Sequence, residues 1–233
     1  MLVTLHVWRV PRRLIGGAFL RMAREPRRLR AISGVRFAKL IGTGTGAGFG
    51  PGDADLTRYA AVVAWEGDGD PGAVDRGWER TATASARLDL TPIASRGRWS
   101  GVEPFVPTPA KADGAVLALT RARLRPAKAL TFWRAVPPVA AELHRAPGLL
   151  ARFGVGEGPI GWQGTVSVWR GATDLTRFAY RQPEHRAVVA RTPAARWYAE
   201  DLFARFAVRE IRGDKSVLGW REEKENWLMR PNR

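Results

Sequence analysis

The stretch Arg36-Phe37-Ala38-Lys39-Leu40-Ile41-Gly42-Thr43-Gly44 has a partner later in the chain, Arg152-Phe153-Gly154-Val155-Gly156-Glu157-Gly158. In both, an apolar strand pattern runs into alternate glycines. That match anchors an element-by-element overlay of two halves. Upstream, Leu2 to Val10 reads as an apolar, β-branched strand, followed by Ile15, Ala18, Phe19 and Met22 at helical spacing. Its counterpart is Val116 to Leu124, followed by Leu130, Phe132 and Trp133 in a helix that Pro137 and Pro138 interrupt or restart. Downstream, the strands Tyr59 to Gly67 and Thr165 to Gly171 each carry a tryptophan, Trp65 or Trp169, two residues before the closing glycine. A turn and a helix with a late tryptophan, Trp78 or Trp197, follow each. A fourth strand ends each half, Ala86-Arg87-Leu88 or Ala204-Arg205-Phe206.

The order is β-α-β-β-α-β, twice, which is the ferredoxin-like unit: a four-stranded antiparallel sheet with both helices on one face. One such sheet leaves its other face bare, so the expected α+β fold is a tandem ferredoxin-like repeat whose two sheets close into a pseudo-symmetric barrel. The expected boundaries are a first unit at 1–102, a linker at 103–114 bearing Pro104, Pro107 and Pro109, a second unit at 115–220 and a peripheral tail at 221–233.

Composition bounds the chemistry. The 233 residues suffice for one large domain or two halves sharing a core. With 45% hydrophobic and 26% charged residues, wholesale disorder is not expected. The absence of cysteine excludes disulfide frameworks, zinc-thiolate and iron-sulfur sites, cysteine nucleophiles and thiolate-held haem. Three histidines, His6, His144 and His185, leave little for a multi-histidine metal site. No apolar run reaches the roughly 18 residues a membrane helix needs, and arginines occupy the first thirty residues in place of a signal peptide's apolar centre. A cytoplasmic protein is expected, with membrane-peripheral contact left open. The net charge of +16 points to an anionic partner, but arginine in an Ala-, Gly- and Pro-rich chain also follows from GC-rich coding, and nucleic acid is not expected. The densest block, Arg21, Arg24, Arg27, Arg28 and Arg30, is either a solvated face or a contact to an anionic surface.

The run Gly42-Thr43-Gly44-Thr45-Gly46-Ala47-Gly48-Phe49-Gly50 lacks the lysine of a P-loop, a following helix and an acid at Rossmann spacing, so it is expected to be a flexible loop over a pocket, not a phosphate cradle. Hydrolase triads and paired glycosidase acids are absent. His6 sits in a strand, where packing is the ordinary role, and His144 ends a helix beside Arg145. His185 differs: Pro183 fits a first helical turn, and Val188, Val189 and Thr192 lie at i+3, i+4 and i+7. Its imidazole is expected to face an apolar interior, either as a satisfied core residue or as the ligand of a large apolar cofactor such as haem. Arg181, Arg186 and Arg191 either meet its propionates or lie in water.

Several stretches together resemble the spheroidene monooxygenase family, the carotenoid-oxidising enzymes of phototrophic bacteria. They are Phe37-Ala38-Lys39-Leu40-Ile41-Gly42-Thr43-Gly44-Thr45-Gly46 with Phe49, then Gly97-Arg98-Trp99-Ser100-Gly101-Val102 with Pro104-Phe105, and Ala118-Leu119-Thr120-Arg121-Ala122. Gly154-Val155-Gly156-Glu157, Ser167-Val168-Trp169, His185 twelve residues before Trp197, and Leu202-Phe203-Ala204-Arg205-Phe206 complete the set, which runs from about residue 2 to 212. The resemblance implies a dimeric-α/β-barrel-type fold and a haem b monooxygenase that takes dioxygen, electrons from a donor such as a ferredoxin, and an apolar substrate, carotenoid-like or another specialised metabolite. Related haem barrels place the proximal histidine in the second unit, which agrees with His185. On that reading His185 ligates iron, and Arg121, with Thr120 and Ser167, supplies catalytic groups opposite it. Arg181, Trp169, Trp197 and Phe203 surround the cofactor.

Two alternatives stay open on sequence. One is haem-dependent dehydration or nitrogen redox chemistry in which substrate binds the iron. The other is a non-catalytic basic barrel on an anionic surface. Arg- and Ala-rich helical faces also leave room for a homodimer.

Overall fold

A computed structural model describes residues 1–46, 51–135, 137–157, 162–181 and 197–221. Strand β1 (Leu2–Arg9) sets the pattern for the rest. Val3, Leu5 and Val7 join one hydrophobic cluster, while Trp8 joins another on the opposite face, as the two-residue period of a strand requires. Helix α1 (Ile15–Arg30) covers that second face with Ala18 and Leu29, and it contains Pro26. Strands β2 (Val35–Gly44) and β3 (Ala54–Trp65), a single helical turn α2 (Gly72–Asp75) and strand β4 (Ala84–Gly97) complete the first half. The second half repeats the order: β5 (Val116–Leu124), α3 (Ala129–Ala135), α4 (Pro137–Arg145), β6 (Leu149–Gly156), β7 (Trp162–Trp169), α5 (Ala172–Arg181) and β8 (Tyr198–Gly213).

All eight strands form one closed antiparallel barrel in the order β1-β3-β2-β6-β7-β5-β8-β4. Each half contributes its strands in the same relative order. The register makes the duplication quantitative: Leu2↔Trp65, Thr4↔Val63, His6↔Ala61 and Trp8↔Tyr59 in the first half correspond to Val116↔Trp169, Ala118↔Ser167, Thr120↔Thr165 and Ala122↔Gln163 in the second. The α+β tandem ferredoxin-like repeat is therefore the observed fold, closed at two seams. One is long, from Ala86↔Gly213 to Gly97↔Leu202 between β4 and β8. The other, between β2 and β6, has the pairs Gly42↔Gly156, Thr43↔Val155 and Gly44↔Gly154.

That short seam revises the expected role of the glycine run. Gly42, Thr43 and Gly44 lie within β2 and close the barrel; they are not part of a loop over a pocket. A side chain at Gly44 would put its Cβ 2.9 Å from the Asp53 carbonyl oxygen, so the close approach of neighbouring backbone needs glycine there. Residues 47–50 of the same run lie outside the described residues. A second revision concerns the first half's second helix. It shrinks to the one turn of α2, and Trp78 lies in the turn that follows, where Pro71, Gly72 and Gly77 punctuate a segment too short to propagate a helix. Trp197 likewise stands outside a helix, immediately before β8.

The lumen is packed. Val62, Leu88, Leu117, Leu119, Phe153, Val166, Val168, Ala204 and Phe206 fill it, as side chains fill the interior of small barrels generally. Phe105, from the stretch at 103–114, closes one mouth edge-on to Phe206 and Phe37. Val217 and Leu218, in the 3-10 turn Lys215–Leu218, close the other. Each such side chain, fully buried, contributes about 1.5–3 kcal/mol. Function therefore has to be sought at the mouths or on the outer faces.

Candidate functional site

The two outer faces share a register and differ in volume. On the first, the row across β4, β1, β3 and β2 reads Arg87, His6, Ala61, Leu40, and the next row contains Trp8 and Tyr59. Trp8 stacks on Trp78 at 4.9 Å and 5°, and Tyr59 stacks on Trp78 at 5.3 Å. Aromatic rings and α1 leave no gap there. On the second face the equivalent row across β8, β5, β7 and β6 reads Phe203, Thr120, Thr165, Gly154, followed by Ala122 and Gln163. His6 has become Thr120, Trp8 has become Ala122, Tyr59 has become Gln163 and Leu40 has become Gly154.

Among the described residues the packing on this face forms two separate clusters. One, at Val116 and Ala118, includes Leu143, Leu149, Trp169, Leu175 and Phe178. The other, at Leu124, includes Ala129, Phe132 and Trp197. Thr120 and Ala122 belong to neither. From Ala118 to Leu124 is six residues of strand, about 20 Å. Between these two apolar clusters the second sheet carries a strip of small and hydroxyl side chains, called the trough below, of which Ala122 and Ser167 are buried.

Most of the residues singled out from sequence border this trough. Ser167 is on its floor and accepts a 3.0 Å hydrogen bond from Trp169 Nε1. Trp169 is fully buried and packs 5.2 Å from Phe178, at one bank. Trp197 meets the edge of Phe132 at 5.7 Å, at the other. Phe203 is directly across from Thr120 and carries the Arg96 guanidinium on its ring at 4.4 Å. Arg181 ends α5. His185, Arg186 and Arg191 lie outside the described residues.

Arg121 does not join them. Adjacent to Thr120, it faces the opposite way, into one mouth of the barrel. Its Nε donates to Glu157 Oε1 at 2.9 Å, its Nη1 pairs with Glu200, and its guanidinium lies 5.7 Å from the Trp99 ring centre. Lys39 Nζ and Trp99 Nε1 also donate to Glu157, at 3.0 and 2.7 Å. The backbone N–H groups of Ser100 and Gly101 donate to Glu200 at 3.0 and 2.8 Å. Burial alone would raise the Glu200 pKa, but the hydrogen bonds from Gly101, Arg121 and Ser100 outweigh it and hold the carboxyl below its ordinary value. Two cations and two carboxylates balance, so the cluster locks β2, β5, β6 and β8 together. The recess beside it, lined by Ile41, Trp99, Arg121, Val155, Gly156, Glu157 and Gln163, has a volume of about 10 Å³, space for about one water molecule. Sequence reading selected Arg121 but missed Lys39, Trp99, Glu157 and Glu200 as its partners. The available signal was that the short stretches at 37–46, 97–102, 118–122 and 154–157, distant in sequence, converge here.

The two described histidines are already engaged. His6 is fully buried, with Nδ1 2.9 Å from Asp75 Oδ1 and Nε2 2.9 Å from Thr4 Oγ1. Trp65 donates to Thr4, and Trp8 donates to Asp75, so a proton on His6 Nδ1 completes an unbroken network. His144 stands among arginines, with Arg221 at 2.7 Å and Arg152 at 3.0 Å from Nδ1. Its loss of hydration and the charges of Arg221, Arg152 and Arg145 depress its pKa. Guanidinium groups occupy its ring nitrogens and repel a metal cation. Among the described residues no cluster of three or more His, Asp or Glu forms a metal site. A single-ligand cofactor seated in the trough is compatible with that, because the floor at Gly154, Ala122 and Thr120 lacks the side chains that fill the same positions on the first face.

No protein-family model matches the chain. Over 188 residues the chain is 32% identical to the spheroidene monooxygenase of Rhodobacter capsulatus, covering 77% of this chain and 78% of that protein. It is 35% identical over 189 residues to the spheroidene monooxygenase of Rubrivivax gelatinosus, covering 77% and 71%. Among solved structures, an aldoxime dehydratase crystallised with butyraldoxime superposes with a TM-score of 0.55 at 10% identity, over 89% of this chain and 79% of that one, a likeness of fold. The extent and identity of the first two matches place the chain in the spheroidene monooxygenase family.

Proposed function

We propose that the protein is a haem b-dependent monooxygenase that oxidises an apolar, carotenoid-like substrate, with His185 as the iron ligand and the trough on the second sheet as the cofactor seat. The observation that carries this reading is the substitution of Trp8, Tyr59, His6 and Leu40 on one face by Ala122, Gln163, Thr120 and Gly154 at the same register on the other. A duplicated unit that kept its fold while discarding bulk on one face alone fits a ligand-filled face. The engagement of His6 and His144 supports His185, the remaining histidine.

The chemistry such a group supplies when bound is reductive activation of dioxygen, with electrons from a donor such as a ferredoxin. The chain's own residues bind, orient and exclude water. Trp169, Trp197 and Phe203 provide apolar walls. Ser167 accepts from Trp169 and retains its own hydroxyl proton to donate, and Thr120 places a second hydroxyl on the same floor. These hydroxyls hold a proton near the reacting group without putting a charge into an apolar trough. Trp133 Nε1 donates to Gln163 at 3.1 Å, which ties α3 to the floor. Arg181, the last residue of α5, is the residue assigned to a propionate. Arg121 acts as a positioning residue, holding β5, and with it Thr120, from the other side of the wall.

The test is the absorption spectrum of protein produced with a haem supply, together with reductant-dependent oxygen uptake in the presence of an apolar polyene. A band near 400 nm that is present in the parent and lost in His185→Ala supports the assignment. Equal haem content in the variant would overturn the ligand, and anaerobic turnover would overturn the oxygenase.

A further inference from the structure

We infer that the exposed face of α1 docks the protein on an anionic lipid bilayer. This goes beyond the haem reading and does not depend on it, since α1 covers the first sheet and not the trough. Between Arg12 and Arg30 the chain has seven arginines, Arg12, Arg13, Arg21, Arg24, Arg27, Arg28 and Arg30, and a single acid, Glu25. Glu25 is buried and paired to Arg21 at 3.3 Å and Arg28 at 2.6 Å, with Arg28 also donating to the Ala73 and Val74 carbonyls. Those arginines face the body of the protein. Arg12, Arg13, Arg24, Arg27 and Arg30 are exposed, and among the described residues none has a carboxylate partner.

Between these cations the same face exposes Gly16, Gly17, Phe19, Leu20 and Ala23, with Phe19 and Leu20 each 52% exposed. Leu56, 48% exposed, stands beside them: Phe19 meets Tyr59 edge-on at 6.4 Å, and Tyr59 Oη donates to the Leu56 carbonyl. An apolar strip flanked at both ends by unpaired arginines complements an anionic bilayer, whose headgroups neutralise the cations while the acyl boundary takes up Phe19 and Leu20. A purely electrostatic polyanion such as duplex DNA would use the arginines and leave the apolar strip in water. The helix is held on the sheet by Ala18 and Leu29, so the face is presented rigidly.

The experiment is flotation of the full chain with phosphatidylcholine vesicles containing none or about 30 mol% phosphatidylserine. Binding is expected to the anionic vesicles only and to weaken as salt rises. Arg24→Gln/Arg27→Gln/Arg30→Gln should lower partitioning on the order of a hundredfold. Phe19→Ser/Leu20→Ser should lower it about tenfold or more. Both variants change exposed side chains, so their melting temperatures should match the parent's. Equal binding to neutral vesicles, or full binding by either variant, would overturn the proposal. So would DNA binding as tight as vesicle binding that Phe19→Ser/Leu20→Ser leaves intact.

Discussion

Thr120 and Arg121 are neighbours in sequence and lie on opposite sides of the barrel wall. Thr120 faces the trough, directly opposite Thr165, and Arg121 faces the lumen, between Glu157 and Glu200. One peptide step on β5 thus joins the outer face of the second sheet to the charged cluster in the barrel mouth. Their roles separate by experiment. Arg121→Met leaves two carboxylates, 17% and 14% exposed, without their shared cation. The expected cost is about 3 kcal/mol, measured by urea unfolding. Adding Glu200→Gln to Arg121→Met should restore most of it, because Glu157 keeps its pair with Lys39 and the remaining charges balance. A cost that persists in the double variant would show that packing on Trp99, and not charge, dominates.

The same cluster sets an acid limit. Glu200 has a folded-state pKa below its ordinary value, so it binds its proton more readily unfolded than folded. Its stabilisation is complete above the unfolded value, about 4.3, and is lost as pH falls through the depressed folded value. Stability should therefore decline below about pH 4.3. In Glu200→Gln that part of the decline should be absent, with lower stability at neutral pH. Parallel acid limbs in parent and variant would assign the sensitivity to other carboxylates.

The fold was legible because duplication is a pattern in sequence: paired apolar strands, glycine punctuation and Trp65 and Trp169 at matching places survive any divergence that keeps the register. The glycines of β2 were misread for a physical reason. Glycine permits either a mobile loop or a close strand approach, and only the pairing Gly42↔Gly156 and Gly44↔Gly154 distinguishes them. The shortness of α2 was hidden because Trp78 is buried as a helical residue would be, although a turn carries it. At the site, the family resemblance grouped Arg121 with Thr120 and Ser167, whereas strand alternation sends Arg121 to the other face. The partners Glu157 and Glu200, 36 and 79 residues away, form contacts that only the closed barrel creates. The trough became visible only when the two faces were laid over each other in register.

That overlay predicts how to fill the seat. Ala122→Trp places at the second face the ring that Trp8 carries on the first. Haem uptake per folded molecule, followed by the band near 400 nm, should fall at least about tenfold, and because Ala122 is buried the overpacking should also cost the apoprotein about 1–3 kcal/mol. Normal haem content in Ala122→Trp would remove the trough as the cofactor's seat and leave His185 without the face proposed for it.

His6 provides the complementary control. Both its nitrogens are committed, and Asp75, Thr4, Trp8 and Trp65 depend on it or on its partners. Replacing it by leucine removes one of two partners from the partly exposed Asp75, which keeps Trp8, and leaves the buried Thr4 hydroxyl proton without its acceptor; an unsatisfied buried group costs about 1–3 kcal/mol. His6→Leu should therefore unfold at lower urea concentration than the parent, and haem per folded molecule should be unchanged. His144→Ala, at an exposed imidazole surrounded by arginines, should alter neither quantity appreciably. Only the third histidine variant, His185→Ala, should separate the two readouts in the opposite sense, losing haem while the apoprotein keeps its melting temperature. Loss of haem from folded His6→Leu would move the iron to the first sheet, under Trp8 and Trp78, where the present packing leaves it no room.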